Sequence, residues 1–132
     1  MGIEETLPIR TSKKPRRTEE RTIFLLTCRK RLALCRRPER GLLAGLWEYP
    51  NELAPAQEFP TIWGLPGEGT FAGTGKHIFT HVEWRMTARR WDLTDPALPE
   101  GWVWAGREAL ARDYPIPSAF APFQDAVEEG LR

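Results

Sequence analysis

The chain has 132 residues, 41% apolar and 28% charged, with a net charge of +1 at pH 7. That length fits one domain able to bury a core without staples, the apolar content excludes a disordered chain, and no run approaches the roughly 20 apolar residues of a membrane span. The near-neutral total hides two opposed parts, since residues 1–40 carry twelve Lys/Arg against five Glu and residues 41–132 carry seven against thirteen Asp/Glu, a polarity that points to a polyanion-facing side.

Residues 1–20 hold few apolar side chains and no helical or strand period. A basic linker or arm is expected there, with the domain itself over 21–132. The polar, basic start carries no signal-peptide pattern. Thr22–Cys28 is a continuous β-branched and apolar run, the pattern of a strand covered on both faces. Arg31–Arg36 follows a tight basic turn as its hairpin partner. Leu46–Pro50 is a third strand, and Gly41 and Gly45 give the loop before it its backbone freedom. The Gly and Pro residues between Ala54 and Gly69 argue against a long helix; a short helical turn around Glu52–Phe59 is expected. His77–Leu93 reads as one long extended segment, in which Val82, Trp84 and Met86 alternate with Glu83, Arg85 and Thr87. Trp102–Trp104 is a further short strand and Arg107–Arg112 one or two helical turns.

Pro115–Ser118 leads into a terminal helix with Ser118 suited to cap it. Phe120, Phe123, Val127 and Leu131 then share one helical face, which predicts packing against a sheet, while Asp125, Glu128 and Glu129 face water. These elements give an α+β fold with a mixed β-sheet and a C-terminal helix on it. The two cysteines, Cys28 and Cys35, are too few for a disulfide framework and lack companions for a metal site. Two reduced thiols in a cytosolic protein are expected.

Catalysis needs a nucleophile beside a base, paired carboxylates or a metal cluster, and no such set, no GxGxxG and no Walker or zinc motif is present. No catalytic residue is expected. The two histidines fall in His77-Ile78-Phe79-Thr80-His81, which offers two imidazoles, an aromatic ring and a hydroxyl. In a strand, residues 77, 79 and 81 would share a side. Such a set suits the reading of a base: a ring can stack or wedge and a hydroxyl can meet a base edge. The structural alternative is a strand start with Phe79 in the core. Arg29, Lys30, Arg31, Arg36, Arg37 and Arg40 flank the hairpin, and either touch phosphates or protect an edge with charge. Lys13, Lys14, Arg16 and Arg17 extend the same basic candidate surface.

Together these stretches resemble the C-terminal domain of the A/G-specific adenine DNA glycosylases, the MutY family. The resemblance is carried by the leader Glu4–Arg10 with Lys13-Lys14, by Arg37–Pro50, by His77–His81 and by Tyr114–Ser118, in the right order over nearly the whole chain. It implies an α/β/α sandwich like that of nudix hydrolases, which cleave oxidised nucleotides. It also implies recognition of 8-oxoguanine mispaired with adenine in double-stranded DNA, with His77, Phe79, Thr80 and His81 at the lesion and Lys13, Lys14, Arg16, Arg17, Arg36, Arg37 and Arg40 at phosphates. The family commonly has serine where this chain has Thr80, which keeps the hydroxyl but stiffens the side chain. After Pro50, two lone carboxylates, Glu52 and Glu58, stand where a nudix hydrolase presents a glutamate-rich magnesium helix. The resemblance therefore implies a chain that is no enzyme in isolation and holds no cofactor. The catalytic domain of the same protein, with its iron–sulfur cluster, would be its partner, and the chain a monomer away from membranes. A stand-alone nudix-type pyrophosphohydrolase and a protein-interaction module are the alternatives.

Overall fold

The computed structural model describes residues 16–55, 60, 64–94 and 97–132. Seven strands are described: β1 (Arg17–Cys28), β2 (Arg31–Arg36), β3 (Trp47–Glu48), β4 (Asn51–Leu53), β5 (Thr70–Ile78), β6 (Val82–Asp92) and β7 (Val103–Ala105). They form one mixed sheet in the order β3-β2-β1-β6-β5, with β4 on β1 and β7 on β2. After them in the described residues come helix α1 (Arg107–Arg112), a 3-10 helix (Ser118–Phe123) and α2 (Gln124–Leu131). This is the α+β mixed sheet with a C-terminal helix that the sequence predicts.

β1 is the axis of the sheet. It runs parallel to β6 from Arg17↔Val82 to Thr27↔Asp92, and antiparallel to β2 and β4. Ile23, Phe24, Leu25 and Leu26 are all fully buried. Ile23 and Leu25 enter the main core with Trp84, Met86, Phe120 and Phe123. Phe24 and Leu26 enter a second cluster with Ala33 and Trp91 on the other face. A strand covered on both sides needs the uninterrupted apolar run seen here. β1 begins at Arg17, inside the stretch expected as an arm, because residues 17–20 already pair with Val82–Arg85. The β1–β2 turn places Arg29 and Lys30 at φ +53° and +62°, the paired left-handed conformation of a two-residue hairpin.

Three expectations are corrected. Glu52 and Leu53, where the sequence predicts the start of a helical turn, lie on the strand Asn51–Leu53 paired with β1; the last four residues of that expected turn, Ala56–Phe59, lie outside the described residues. The extended segment from His77 to Leu93 is broken by a turn at Phe79–His81, so two strands replace one. Ser118 does not cap the last helix. Its first turn is 3-10, with Pro117 at the N-cap and Pro122 inside, since a proline deprives an α-turn of its amide. The apolar face holds nonetheless: Phe120, Phe123, Val127 and Leu131 are buried against the sheet. Gly75 of β5 permits that packing, because a Cβ there would stand 2.8 Å from Pro122.

Candidate functional site

β5 and β6 are joined by three residues, Phe79, Thr80 and His81. The Phe79 amide donates to the Val82 carbonyl at 2.7 Å, which closes the turn. The Arg17 amide donates to the His81 carbonyl at 3.1 Å, which ties the turn to the start of β1. His77 lies opposite Trp84 in the β5–β6 register. The His77 and Phe79 rings meet edge-on with centroids 4.7 Å apart, and Phe79 meets Trp84 edge-on at 5.1 Å. Phe79 is half-buried against the core, whereas Thr80 and His81 are exposed. The expected strand face of residues 77, 79 and 81 is thus replaced by an edge-on ring pair with a polar tip.

Beneath the turn lies a buried polar cluster that the sequence reading missed. Trp84 is fully buried, with the Arg21 Cζ 4.6 Å and the Arg37 Cζ 5.4 Å from its ring centroid. Arg21 donates to Asn51 Oδ1 at 2.8 Å and to Glu19 Oε1 at 3.1 Å. Asn51 Nδ2 donates to Glu48 Oε1 and to the Tyr49 carbonyl, each at 2.8 Å. Arg37 donates to the Leu42 carbonyl at 3.3 Å and stands 3.6 Å from Glu48. The Cys35 thiol approaches Glu48 Oε2 at 3.9 Å. Burial pushes the Glu48 carboxyl above its ordinary value, opposed by Asn51, Arg37 and Arg21. Burial and the Glu48 charge raise the Cys35 thiol, and burial raises Tyr49 to about 12. Burial also pushes Glu19 up, but Arg17 and Arg21 together outweigh it and hold that carboxyl below its ordinary value. The signals for this cluster were single polar residues inside apolar strands, Glu48 above all.

The basic candidates divide. Lys13 and Lys14 lie outside the described residues. Arg16 and Arg17 are exposed beside the turn, and Arg17 pairs with Glu19 at 2.8 Å. Arg36 is exposed and donates to the Gly45 carbonyl at 3.0 Å. Arg40 is exposed in the 37–46 loop. Arg37 departs from the outward reading: only 15% of its side chain is exposed, and its charge goes to Glu48. Arg29 and Lys30 sit at the far end of β1, about 36 Å from its start at ~3.3 Å per residue, so the hairpin tip and the Phe79 turn do not share one surface. Both cysteines are free and buried.

Among the described residues, no group of three or more His, Cys, Asp or Glu is placed to hold a metal ion. Glu52 lies on β4 and Glu58 outside the described residues. The described residues therefore do not fit the magnesium site of a nudix hydrolase. No described helix is long and apolar enough to cross a membrane.

A family model described as a NUDIX domain matches residues 22–126. No curated protein matches the chain by sequence. Among solved structures, the chain is similar to the MutT protein from Methanosarcina mazei Go1, with 17% identity, a TM-score of 0.65 and coverage of 89% of this chain and 97% of that one. It is similar to the C-terminal domain of mouse MUTYH, solved in complex with human PCNA, at 20% identity, TM-score 0.64 and coverage of 86% and 90%. The Nudix hydrolase RenU from M. smegmatis gives 20% identity, TM-score 0.55 and 84% of each chain. Identities this low carry the fold alone. The family match corrects one expectation. The absence of a carboxylate-rich helix from the sequence predicts that the isolated chain is no enzyme; that expectation is overturned, because the chain matches the NUDIX domain model over residues 22–126 and shares its fold with a solved Nudix hydrolase, RenU.

Proposed function

The chain belongs to the NUDIX domain family, and on that premise we propose that it recognises oxidised guanine, in double-stranded DNA where the lesion is mispaired with adenine. The observation that carries the reading is the Phe79–His81 turn. A half-buried aromatic ring, braced edge-on by Trp84, stands beside an exposed hydroxyl and an exposed imidazole. The ring can wedge or stack at a base step. The Thr80 hydroxyl can donate to or accept from a base edge. His77 backs the Phe79 ring from β5. Arg16 and Arg17, at the same end of the sheet, can meet phosphates and set the register without specifying sequence. The four stretches that resemble the MutY family and the fold likeness to the MUTYH domain support this reading. A catalytic glycosylase domain bearing an iron–sulfur cluster would then be its partner, flipping out and removing the opposite adenine.

A second reading, hydrolysis of a free oxidised nucleotide, is favoured by the family match and by the likeness to MutT and RenU. One pair of assays decides between them. Binding of the chain to duplexes containing 8-oxoguanine:adenine or guanine:adenine is compared with phosphate release from oxidised dGTP in magnesium. Preference for the lesion duplex supports the first reading. Equal affinity for the two duplexes together with nucleotide turnover establishes the second.

A further inference from the structure

We infer that Trp84 is a positioning residue: through its indole, the buried Arg21–Asn51–Glu48–Arg37 cluster fixes the pose in which Phe79 meets a purine. The inference deepens the recognition reading above and rests on it for its functional half.

The Phe79 backbone is held by its amide hydrogen bond to the Val82 carbonyl, which leaves its side-chain torsions to be set by what the ring touches. It touches His77 at 4.7 Å and Trp84 at 5.1 Å, both edge-on. Of these two, only Trp84 is fully buried. What orients Trp84 is unusual. Its indole Nε1 is buried without a hydrogen-bond partner among the described residues, so the common anchor of a buried tryptophan is missing. Two guanidinium groups approach its ring instead, at 4.6 and 5.4 Å, an attraction that strengthens on desolvation. Each guanidinium is held in turn. Arg21 is pinned between Glu19 and Asn51, and Arg37 between the Leu42 carbonyl and Glu48. Asn51 bridges the two halves by donating to Glu48. A rigid base thus extends from β1, β3 and β4 through one indole to the exposed turn.

The test uses the 132-residue chain and two variants. Trp84→Phe keeps an aromatic ring but withdraws the large face. Arg37→Lys keeps a charge beside Glu48 and removes the planar guanidinium, so it is informative should the core substitution fail to fold. Affinity is measured for duplexes with 8-oxoguanine:adenine and with guanine:adenine, together with the NMR signals of the His77 and Phe79 rings. Each variant is expected to lower the ratio of the two affinities about threefold to tenfold, the scale of one aromatic contact, and to displace both sets of ring signals. Equal weakening on the two duplexes, with the ratio kept, would show that Trp84 only holds the core and would overturn the inference. If the unaltered chain does not discriminate between the duplexes, the recognition reading fails by itself. The ring signals then judge the positioning: displacement by Arg37→Lys sustains it, and unmoved signals overturn it.

Discussion

Arg37 and Glu48 face each other across 3.6 Å with 15% and 7% of their side chains exposed. A pair so withdrawn from water is costly to break on one side, since the remaining carboxylate stays buried with only Asn51 and Arg21 to offset its charge. Arg37→Met is therefore expected to destabilise the chain by about 3–5 kcal/mol, read from urea unfolding midpoints. Adding Glu48→Gln to that variant should recover much of the stability, because the buried carboxylate is then gone. A double variant as unstable as Arg37→Met would show that the stem of Arg37, and not its charge, is what matters.

The same carboxyl has a pH signature. The native state holds the Glu48 proton above the ordinary value of 4.5, chiefly through burial. Its contribution to stability is full below that value and is lost as pH rises through the folded pKa. Glu19 has the opposite sign: its folded pKa lies below 4.5, so its contribution is present above that value and is lost as pH falls through the folded pKa. In unfolding measurements from about pH 3 to about pH 8, Glu48→Gln should remove the decline above 4.5 and Glu19→Gln should soften the acid limb. Unchanged profiles would mean that neither carboxyl is linked to folding.

Gly75 lies where β5 meets the last helix. A methyl there would sit 2.8 Å from Pro122 and 3.4 Å from Phe123, and overfilling a packed contact costs about 1–3 kcal/mol. Gly75→Ala should lower the thermal midpoint accordingly. Gly41→Ala is the contrast: no atom stands within 4 Å of the added group, so any destabilisation there comes from its φ of +94°.

Thr80 supplies one hydroxyl to the proposed contact, and one hydrogen bond contributes about 0.5–1.5 kcal/mol net. Thr80→Ala should therefore reduce the preference for the lesion duplex about tenfold or less. Phe79→Ala should reduce affinity further, since a stacked base is worth about 1–3 kcal/mol. Quantitative binding to both duplexes checks each value, and selectivity left intact by both substitutions would remove the turn from the proposal.

Salt dependence isolates the phosphate candidates. Neutralising Lys13, Lys14, Arg16 and Arg17 together should flatten the logarithmic salt slope by ~0.9 for each phosphate that is no longer neutralised. Neutralising Arg29 and Lys30, at the opposite end of β1, should leave it unchanged. A slope that responds to the second pair and not to the first four would move the DNA to the other end of the sheet.

The long-range framework was legible because its signals are periodic. The run at Ile23–Leu26, the alternation of Val82, Trp84 and Met86 and the four apolar positions of the last helix all report burial directly. β5 was not legible. Its sequence, with two glycines and a lysine, has neither alternation nor β-branched density; pairing with β6 and the approach of Pro122 make it a strand. β4 is three residues long and owes its form to β1. The turn residues could be singled out from their chemistry alone. Their foundation could not, because Arg21, Glu48 and Asn51 are brought together only by the pairing of β1 with β4 and of β2 with β3.

The parallel ladder between β1 and β6 has a consequence for biogenesis. Its partners stand 65 positions apart, so β1 must wait for a strand made much later before it finds its mate, after a large loop-closure cost. A growing polypeptide presents Ile23–Leu26 to its surroundings until Asp92 has emerged. Truncations between those points should yield sticky, chaperone-dependent fragments, and separated halves of the chain should be soluble only when produced together.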